Sequence, residues 1–310
     1  MRRDIVDTSL AIQAEGLTKR YGNTLAVDGL NLDIPTGQFF GLLGPNGSGK
    51  TSTIHMLSTL IRPSQGTARV AGQDVKRAGL QVRAAIGVVF QESALDRTLS
   101  VAENLRFAGL LYNLPVAQIN ERSSELLELF GLKEKRNQPV GELSGGQRRA
   151  LDIARGVIHR PQILFLDEPT IGLDVPNRRN IWRFIERLRT ELNVTVFLTT
   201  HYLEEAVDCD KVAFIKQGRI VKIGPPHDLI DSLGAYIIEI EGENLSALIA
   251  SLSPRLGPCF MDGDKACFRF TGKDIASLVM LQAELGDKVT GMRWRRPNLN
   301  DVFLWVNETE

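Results

Sequence analysis

The sequence predicts an α/β fold organised around a largely parallel β-sheet, and two observations support this. Between residues 12 and 222, short apolar and β-branched runs alternate with segments of helical periodicity. That alternation is typical of strands buried between covering helices. One of the runs ends in a glycine-rich loop at residues 44–51, and a helical segment follows directly. Loops at the carboxyl ends of such strands bind ligands, so we expect the functional site at this edge of the sheet.

Composition narrows the class of protein. The 310 residues suffice for one large domain together with a smaller one. Hydrophobic residues make up 43% of the chain, which is ordinary for a globular protein and excludes a disordered one. Basic and acidic residues number 37 each, so net charge argues neither for nor against a nucleic-acid partner, and no strongly basic block occurs. We expect no such partner, because the arginines around Trp294 amount to one strand's worth of charge with no stacking platform. No window approaches about 20 uncharged apolar residues, and the first ten residues lack the apolar run of a secretory signal.

Four short runs predict the strands of the sheet. Each run is apolar and contains β-branched or aromatic residues, which favours a strand over a helix. The runs lie at residues 38–44, 84–91, 162–169 and 193–201. Directly after the loop, residues 50–61 place Ile54, Leu57 and Ile61 at helical spacing, which predicts a helix over this segment.

A helical insertion is predicted at about residues 95–160. From residue 100 to about residue 160 the strand signal disappears, and residues 100–115 and 118–132 both have helical patterns. Gly131 is predicted to end the second of these helices, because glycine is common just after a helix.

A second, smaller domain is predicted beyond the Gly-Pro-Pro break at residues 224–226. Its segments follow the order β-α-β-β-α-β, which resembles a ferredoxin-like α+β unit. Asp262 and Gly263 mark the turn of its hairpin, and residues 298–306 predict a short final helix. We therefore divide the chain into residues 1–228 and 229–310. The second domain is a candidate for dimerisation, for binding a regulator, or for packing against the first.

The loop "GPNGSGKT" at residues 44–51 matches the phosphate-binding pattern G-x-x-x-x-G-K-[ST] at every fixed position. Glycines let successive backbone N–H groups turn inward around a polyphosphate, and the following helix directs its positive end at the same anion. Lys50 supplies a cation for the outer phosphates, and Thr51 offers a hydroxyl to Mg²⁺. The predicted nucleotide-binding residues in this region are Gly44, Pro45, Asn46, Gly47, Ser48, Gly49, Lys50, Thr51 and Ser52.

Polar residues at three further strand ends are candidates for the chemistry. Asp167 can hold Mg²⁺ through a water molecule, and Glu168 can orient or deprotonate an attacking water. Without the phosphate loop, this pair would be read equally well as a solvated strand end. His201 is either a polar strand terminus or a donor to the terminal phosphate. Gln91 could touch Mg²⁺ and the water through its amide, although the residue by itself is uninformative.

A second glycine-opened helix start occurs at "LSGGQ", residues 143–147. Ser144 is a good N-cap, and Gly145 and Gly146 leave backbone donors uncovered. An apolar stripe anchors the helix that follows, so its positive end forms a second anion site. The economical hypothesis is that one nucleotide lies between two copies of the chain, with the loop of one copy facing the "LSGGQ" of the other. The alternative is a capped structural helix.

These motifs, in this order, resemble the nucleotide-binding domain of an ABC transporter over roughly residues 12–222. The resemblance implies a P-loop ATPase core with an antiparallel β subdomain and the helical insertion, and it implies ATP and Mg²⁺ as cofactors. It also implies that Glu168 is the catalytic base and His201 the switch histidine, with Lys50 and Gln91 completing the catalytic set. Thr51, Gln91 and Asp167 would hold Mg²⁺, Asp167 through water.

The same resemblance assigns the remaining contacts. Tyr21 would stack on adenine, and Gln91 would sense both Mg²⁺ and the transport partner. Ser144, Gly145, Gly146 and Gln147 would belong to the nucleotide-binding residues. Of these, Ser144 and Gly146 would reach the terminal phosphate bound by the other copy. Asp174 would link the two sites of the dimer.

More narrowly, three segments resemble the daunorubicin-resistance and nodulation type of exporter ATPase. They are residues 51–72, 200–206 and 296–303. This resemblance implies a homodimer that docks on a separately encoded integral-membrane permease and lies peripherally on the cytoplasmic face of the cell membrane. Residues 91–105 are the candidate docking surface, and the alternative is that they form an ordinary solvated helix start. The alternatives are a soluble ABC ATPase without a permease and a nucleotide-binding subunit without turnover, which the intact Glu168 and His201 disfavour.

Overall fold

The computed structural model describes residues 10–272 and 274–309, and the chain divides into two compact units. The first unit contains described residues 10–201 and 215–220, and the second contains 202–214 and 221–309 except residue 273. Residues 1–9, where no secretory signal is expected, lie outside the described residues. The domain boundary expected near residue 228 stays a prediction. Within the described part of the chain, no helix combines the length and apolarity needed to cross a membrane.

The first unit combines two sheets with helices. Its elements are β1 (Leu10–Tyr21), β2 (Thr24–Pro35), β3 (Phe39–Leu43), α1 (Lys50–Leu57), β4 (Gln65–Val70), β5 (Gln73–Asp74), α2 (Gly79–Ala85), β6 (Ile86–Val89), α3 (Val101–Leu111), α4 (Val116–Leu129), α5 (Gly145–Val157), β7 (Ile163–Asp167), α6 (Val175–Leu192) and β8 (Thr195–Thr200). The strands β9 (Lys211–Lys216) and β10 (Arg219–Gly224) follow, and the turn between them belongs to this unit.

The parallel sheet positions the functional edge. Strands β3, β8, β7 and β6 lie side by side in that order, and each neighbouring pair is parallel. Every residue of β3, β7 and β8 is buried, which confirms the prediction of a sheet covered on both faces. Because the strands are parallel, their carboxyl ends meet at one edge, so Leu43, Val89, Asp167 and Thr200 lie along it.

A separate antiparallel sheet has the order β2-β1-β4-β5. It is the antiparallel β subdomain that the resemblance implied. Tyr21 ends β1, and about 45% of its side chain is exposed.

The helical insertion is present as α3, α4 and α5. Ser100 and Glu103 form a capping box at the start of α3, and Gly131 follows α4 with φ +66°, as predicted. The helix predicted over residues 50–61 is too long, because α1 ends at Leu57. Thr59 has φ +66°, a left-handed conformation that an α-helix cannot contain, so the apolar spacing that continues to Ile61 is not helical.

The second unit contains the predicted β-α-β-β-α-β order. After α7 (Pro226–Asp231) come β11 (Tyr236–Glu241), α8 (Leu245–Leu256), β12 (Cys259–Asp262), β13 (Lys265–Phe270), α9 (Ile275–Leu285), β14 (Gly291–Arg295) and α10 (Leu299–Thr309). The sheet is antiparallel in the order β12-β13-β11-β14, the arrangement of a ferredoxin-like unit. Gly263 lies in the hairpin turn with φ +62°, as predicted. The turn comes one residue later than predicted, because Asp262 is the last residue of β12 and pairs with Lys265.

The final helix of this unit is fixed by a buried carboxylate. Asp301 is fully buried, and both terminal nitrogens of Arg295 donate to its two oxygens at 2.7 and 2.8 Å. The backbone N–H of Asn298 donates to the same carboxylate at 2.8 Å. Since a buried carboxylate is stable only when paired and hydrogen-bonded, these contacts define where α10 begins.

Candidate active site

The phosphate loop joins β3 to α1 along a path that requires glycine. Gly49 has φ +111°, and a Cβ there would lie 2.5 Å from the carbonyl oxygen of Ala26. A Cβ on Gly44 would collide with the carbonyl oxygen of Ile215. Side chains at these positions would force the loop open, so the glycines are needed for the close approach of backbone segments as well as for phosphate contacts.

Lys50 is held at the centre of this loop. Its side chain is buried, and Nζ donates to the carbonyl oxygens of Gly44 at 2.8 Å and Pro45 at 3.1 Å. Glu168 Oε1 lies 3.6 Å from Nζ. Burial lowers the pKa of Lys50, and the charge of Glu168 opposes this shift. The loop therefore presents a positioned ammonium group close to a carboxylate.

Asp167 is placed by hydroxyl groups on two neighbouring elements. Thr51 Oγ1 lies 3.4 Å from Asp167 Oδ1, and Thr199 Oγ1 on β8 donates to the same oxygen. Asp167 is 2% exposed. Thr51 and Gln91 line one cavity. Together with Asp167, which contacts Thr51, they would supply the hydroxyl, amide and carboxylate oxygens that suit Mg²⁺.

Glu168 adopts an uncommon backbone conformation. Its φ is +46°, and its N–H donates to the carbonyl oxygen of Thr199 at 3.0 Å. Residues other than glycine adopt this left-handed backbone conformation at an energetic cost. They are found there chiefly where the surrounding structure enforces it. The conformation turns the carboxylate between two basic groups, because Oε2 lies 3.2 Å from Nδ1 of His201 and Oε1 faces Lys50.

One cavity of about 450 Å³ brings the loop and the chemistry together. Its lining includes the predicted residues Asn46, Gly47, Gly49, Lys50, Thr51, Ser52, Gln91 and Glu168. Gln91 and Glu168, from two of the predicted strand ends, therefore meet at the phosphate loop. Asp167 and His201 do not line this cavity, but they contact Thr51 and Glu168, which do.

The "LSGGQ" residues lie elsewhere in the same unit. Ser144 caps α5, and it forms a reciprocal capping box with Gln147. Ser144, Gly146 and Gln147 line a second cavity of about 440 Å³ together with residues of α6. Gly145 is exposed at the start of α5. This helix start and the phosphate loop thus contribute to different cavities of one subunit.

Two further predicted residues are also placed away from the first cavity. Asp174 is the N-cap of α6, where its side chain accepts from the N–H of Asn177 at 2.9 Å. Tyr21 lies at an exposed strand end with Nζ of Lys19 4.9 Å from its ring centre. Their roles in adenine binding and in linking two sites stay predictions.

Sequence reasoning missed two residues that organise the site. Thr199 is fully buried on β8 and contacts both Asp167 and the backbone of Glu168. Arg149 is buried on α5 and donates to carbonyl oxygens around the same carboxylates. A hydroxyl near the end of a buried strand was the available signal for Thr199, because buried polar groups need partners.

Thr199→Val is expected to lower the free energy of unfolding by roughly 1–3 kcal/mol, since a buried carboxylate loses its donor without any change of side-chain shape. Hydrolysis of ATP is expected to slow as well, because Asp167 is then free to turn. Thr199→Ser keeps the hydroxyl and is expected to recover most of both losses. Urea unfolding and steady-state ATPase assays on the three proteins measure this. Equal behaviour of the Val and Ser variants would contradict the assignment.

The loop with its buried cation, together with the carboxylate pair at a strand end, defines a P-loop nucleoside triphosphate site. A family model described as ABC transporter matches residues 27–171. The Nod factor export ATP-binding protein I of Ralstonia nicotianae is 40% identical over 306 residues, covering 96% of this chain and 94% of that protein. The daunorubicin/doxorubicin resistance ATP-binding protein of Streptomyces peucetius is 44% identical, covering 95% of this chain and 91% of that protein.

A solved structure has the same fold. The dimeric post-hydrolysis state of the ATP-binding cassette MJ0796, bound to ADP and Pi, superposes with a TM-score of 0.63 and 26% identity. The match covers 69% of this chain and 98% of that one. The present chain belongs to the ABC transporter family, as an ATP-binding subunit that hydrolyses ATP. The predicted fold class and family are confirmed.

Proposed function

We propose that two copies of this chain close on two ATP molecules and that hydrolysis drives export through a separately encoded membrane permease. One observation carries the proposal: the two phosphate-binding helix starts of a subunit line different cavities. A nucleotide in the first cavity needs hydrogen-bond donors on the side of its phosphates that faces away from the loop. The "LSGGQ" helix start of a second copy can supply backbone N–H groups there. The dimeric cassette with ADP and Pi supports the same arrangement.

Each subunit contributes one half of the chemistry. Lys50 binds the outer phosphates, and the backbone N–H groups of residues 44–51 surround them. Glu168 takes a proton from the attacking water, and its neighbour His201 donates to the terminal phosphate. Mg²⁺, held by Thr51, Gln91 and Asp167, would neutralise charge on the phosphates. Ser144 and Gly146 at the helix start of the second copy stabilise the charge that develops on the transferred group.

The proposed direction of transport rests on relatives. Two similar proteins are named for Nod factor export and for daunorubicin/doxorubicin resistance. We place this chain on the cytoplasmic face of the cell membrane, bound to its permease. Residues 91–105 contain exposed positions directly after the strand end that carries Gln91, and they form the proposed docking surface.

Binding to membranes tests the permease part of the proposal. The chain is expected to sediment saturably with inside-out vesicles from its source cells after peripheral proteins have been stripped, and not with protein-free liposomes of the same lipids. Glu92→Arg, an exposed charge reversal in the docking surface, is expected to weaken this binding at least fivefold, a loss of about 1 kcal/mol. Its basal ATPase activity is expected to stay unchanged.

Glu121→Arg is the matched control, because it reverses an equally exposed charge elsewhere on the helical insertion. It is expected to bind vesicles like the unaltered chain. Equal binding to liposomes and vesicles would instead favour an ABC ATPase that acts without a permease.

A further inference from the structure

Helix α5 carries three charged residues that contact one another, which we call the α5 clamp: Arg149, Asp152 and Arg155. Arg149 and Asp152 are buried, and Arg155 is partly exposed. Asp152 is 1% exposed, and its carboxylate lies 3.7 Å from Nη1 of Arg149 and 3.3 Å from Nη2 of Arg155. Burial raises the pKa of Asp152, and the two guanidinium groups oppose this rise. Buried charges are costly unless they make further hydrogen bonds. The two arginines of the clamp make such bonds to backbone carbonyl oxygens near the first cavity.

Arg149 holds the segment that contains the proposed catalytic base. Its Nε donates to the carbonyl oxygen of Pro169 at 2.6 Å, and Nη2 lies 3.3 and 3.2 Å from the carbonyl oxygens of Asp167 and Glu168. These contacts bracket the residue with φ +46°. A left-handed, non-glycine residue keeps its conformation only where its neighbours enforce it, and the planar fork of arginine is suited to fixing several acceptors at once.

The same clamp holds both sides of Gln91. Nη1 of Arg149 donates to the carbonyl oxygen of Phe90 at 2.7 Å, and Nη1 of Arg155 donates to that of Ala94 at 3.1 Å. The segment after β6 and the segment after β7 are therefore attached to one rigid helix, whose N-terminus is the "LSGGQ" motif.

The geometry points to Arg149 as a positioning residue of the ATPase reaction. Its guanidinium contacts both the backbone of Glu168 and the segment that carries Gln91. It therefore fixes the position of one relative to the other. A displacement of residues 91–94 then moves Arg149 and, with it, the carboxylate of Glu168. This last step rests on the proposed docking of a permease at that segment, whereas the positioning of Glu168 does not.

Arg149→Lys tests the positioning role, because lysine keeps the charge but cannot reach several carbonyls at once. We expect kcat for ATP to fall by about 10- to 100-fold, as for a catalytic group misplaced by about 1 Å. KM and the Kd of a fluorescent ATP analogue are expected to change by less than about twofold, which corresponds to 0.4 kcal/mol. Arg122→Lys is the matched control, since Arg122 donates to one carbonyl oxygen, that of Ile158 at 3.1 Å, away from the cavity.

A kcat like that of the control would overturn the inference, and so would a parallel loss of kcat, ATP binding and thermal stability. If Arg149→Lys does not fold, Asp152→Asn decides, because it leaves the shape intact and releases Arg149 from its carboxylate. It must lower kcat selectively for the inference to stand.

All these assays use the subunit without membranes. A selective fall in kcat with no binding to vesicles would reject the permease and keep the clamp.

Discussion

Glu168→Gln is expected to stop steady-state ATP hydrolysis while ATP binding persists. The amide has the shape of the carboxylate but cannot accept a proton from water, and loss of a general base costs about 10²- to 10⁴-fold in rate. The carboxylate also lies 3.6 Å from Lys50 and 3.2 Å from His201, and a glutamine can occupy the same place. Phosphate release assays and equilibrium binding of an ATP analogue measure the two properties separately.

The same variant is expected to accumulate as a dimer with ATP bound. In the proposed dimer, hydrolysis removes the phosphate that the two copies share, so a subunit that cannot hydrolyse would stay closed. Light scattering with saturating ATP and Mg²⁺ should report twice the monomer mass, and ADP should not support it. Glu134→Gln, at an exposed site, serves as the control and should hydrolyse normally. Wild-type turnover by Glu168→Gln would show that another group is the base.

Local patterns in the sequence were sufficient for the elements and motifs of this site. The apolar runs that became β3, β7 and β8 contain no charged residue before Asp167, because parallel strands are buried on both faces. The phosphate loop has fixed glycine positions, and Ser144 with Gln147 is a capping pair three residues apart. Each of these features depends only on residues close together in the sequence. The sequence pattern is therefore enough to predict it.

The contacts that complete the site depend on which strands become neighbours. Thr199 reaches Asp167 because β7 pairs with β8, with Asp167 opposite Thr199, and periodicity does not encode strand order. Arg149 lies in a helix whose apolar spacing is ordinary. Its acceptor residues lie just after β6, 59 residues away, and at or just after the end of β7, 18 to 20 residues away. Glu168 gives no sign in sequence of its positive φ, since that conformation is imposed by the surrounding backbone.

Two inactive variants are expected to restore activity when mixed. Lys50→Ala removes the cation from the phosphate loop, whereas Gly145→Asp adds a negative charge where the partner's terminal phosphate would bind. A Cβ at residue 145 would meet only Leu173, at 3.9 Å, and the position is exposed, so we expect the fold to tolerate the aspartate. A mixed dimer joins the intact loop of one copy to the intact "LSGGQ" of the other. Statistical mixing makes half of the dimers mixed, each with one working site of two, so about one quarter of wild-type turnover should return.

The control is a mixture of Lys50→Ala with Glu168→Gln. These two residues touch the same cavity of one subunit and lie 3.6 Å apart, so every site in that mixed dimer lacks one of them. It should stay inactive at any ratio of the two proteins. Recovery in the first mixture but not in the second requires that a working site take its loop from one copy and its capped helix start from the other. Equal inactivity of both mixtures would contradict a site shared between two copies. Full activity of Gly145→Asp alone would mean that the helix start at Ser144 is structural.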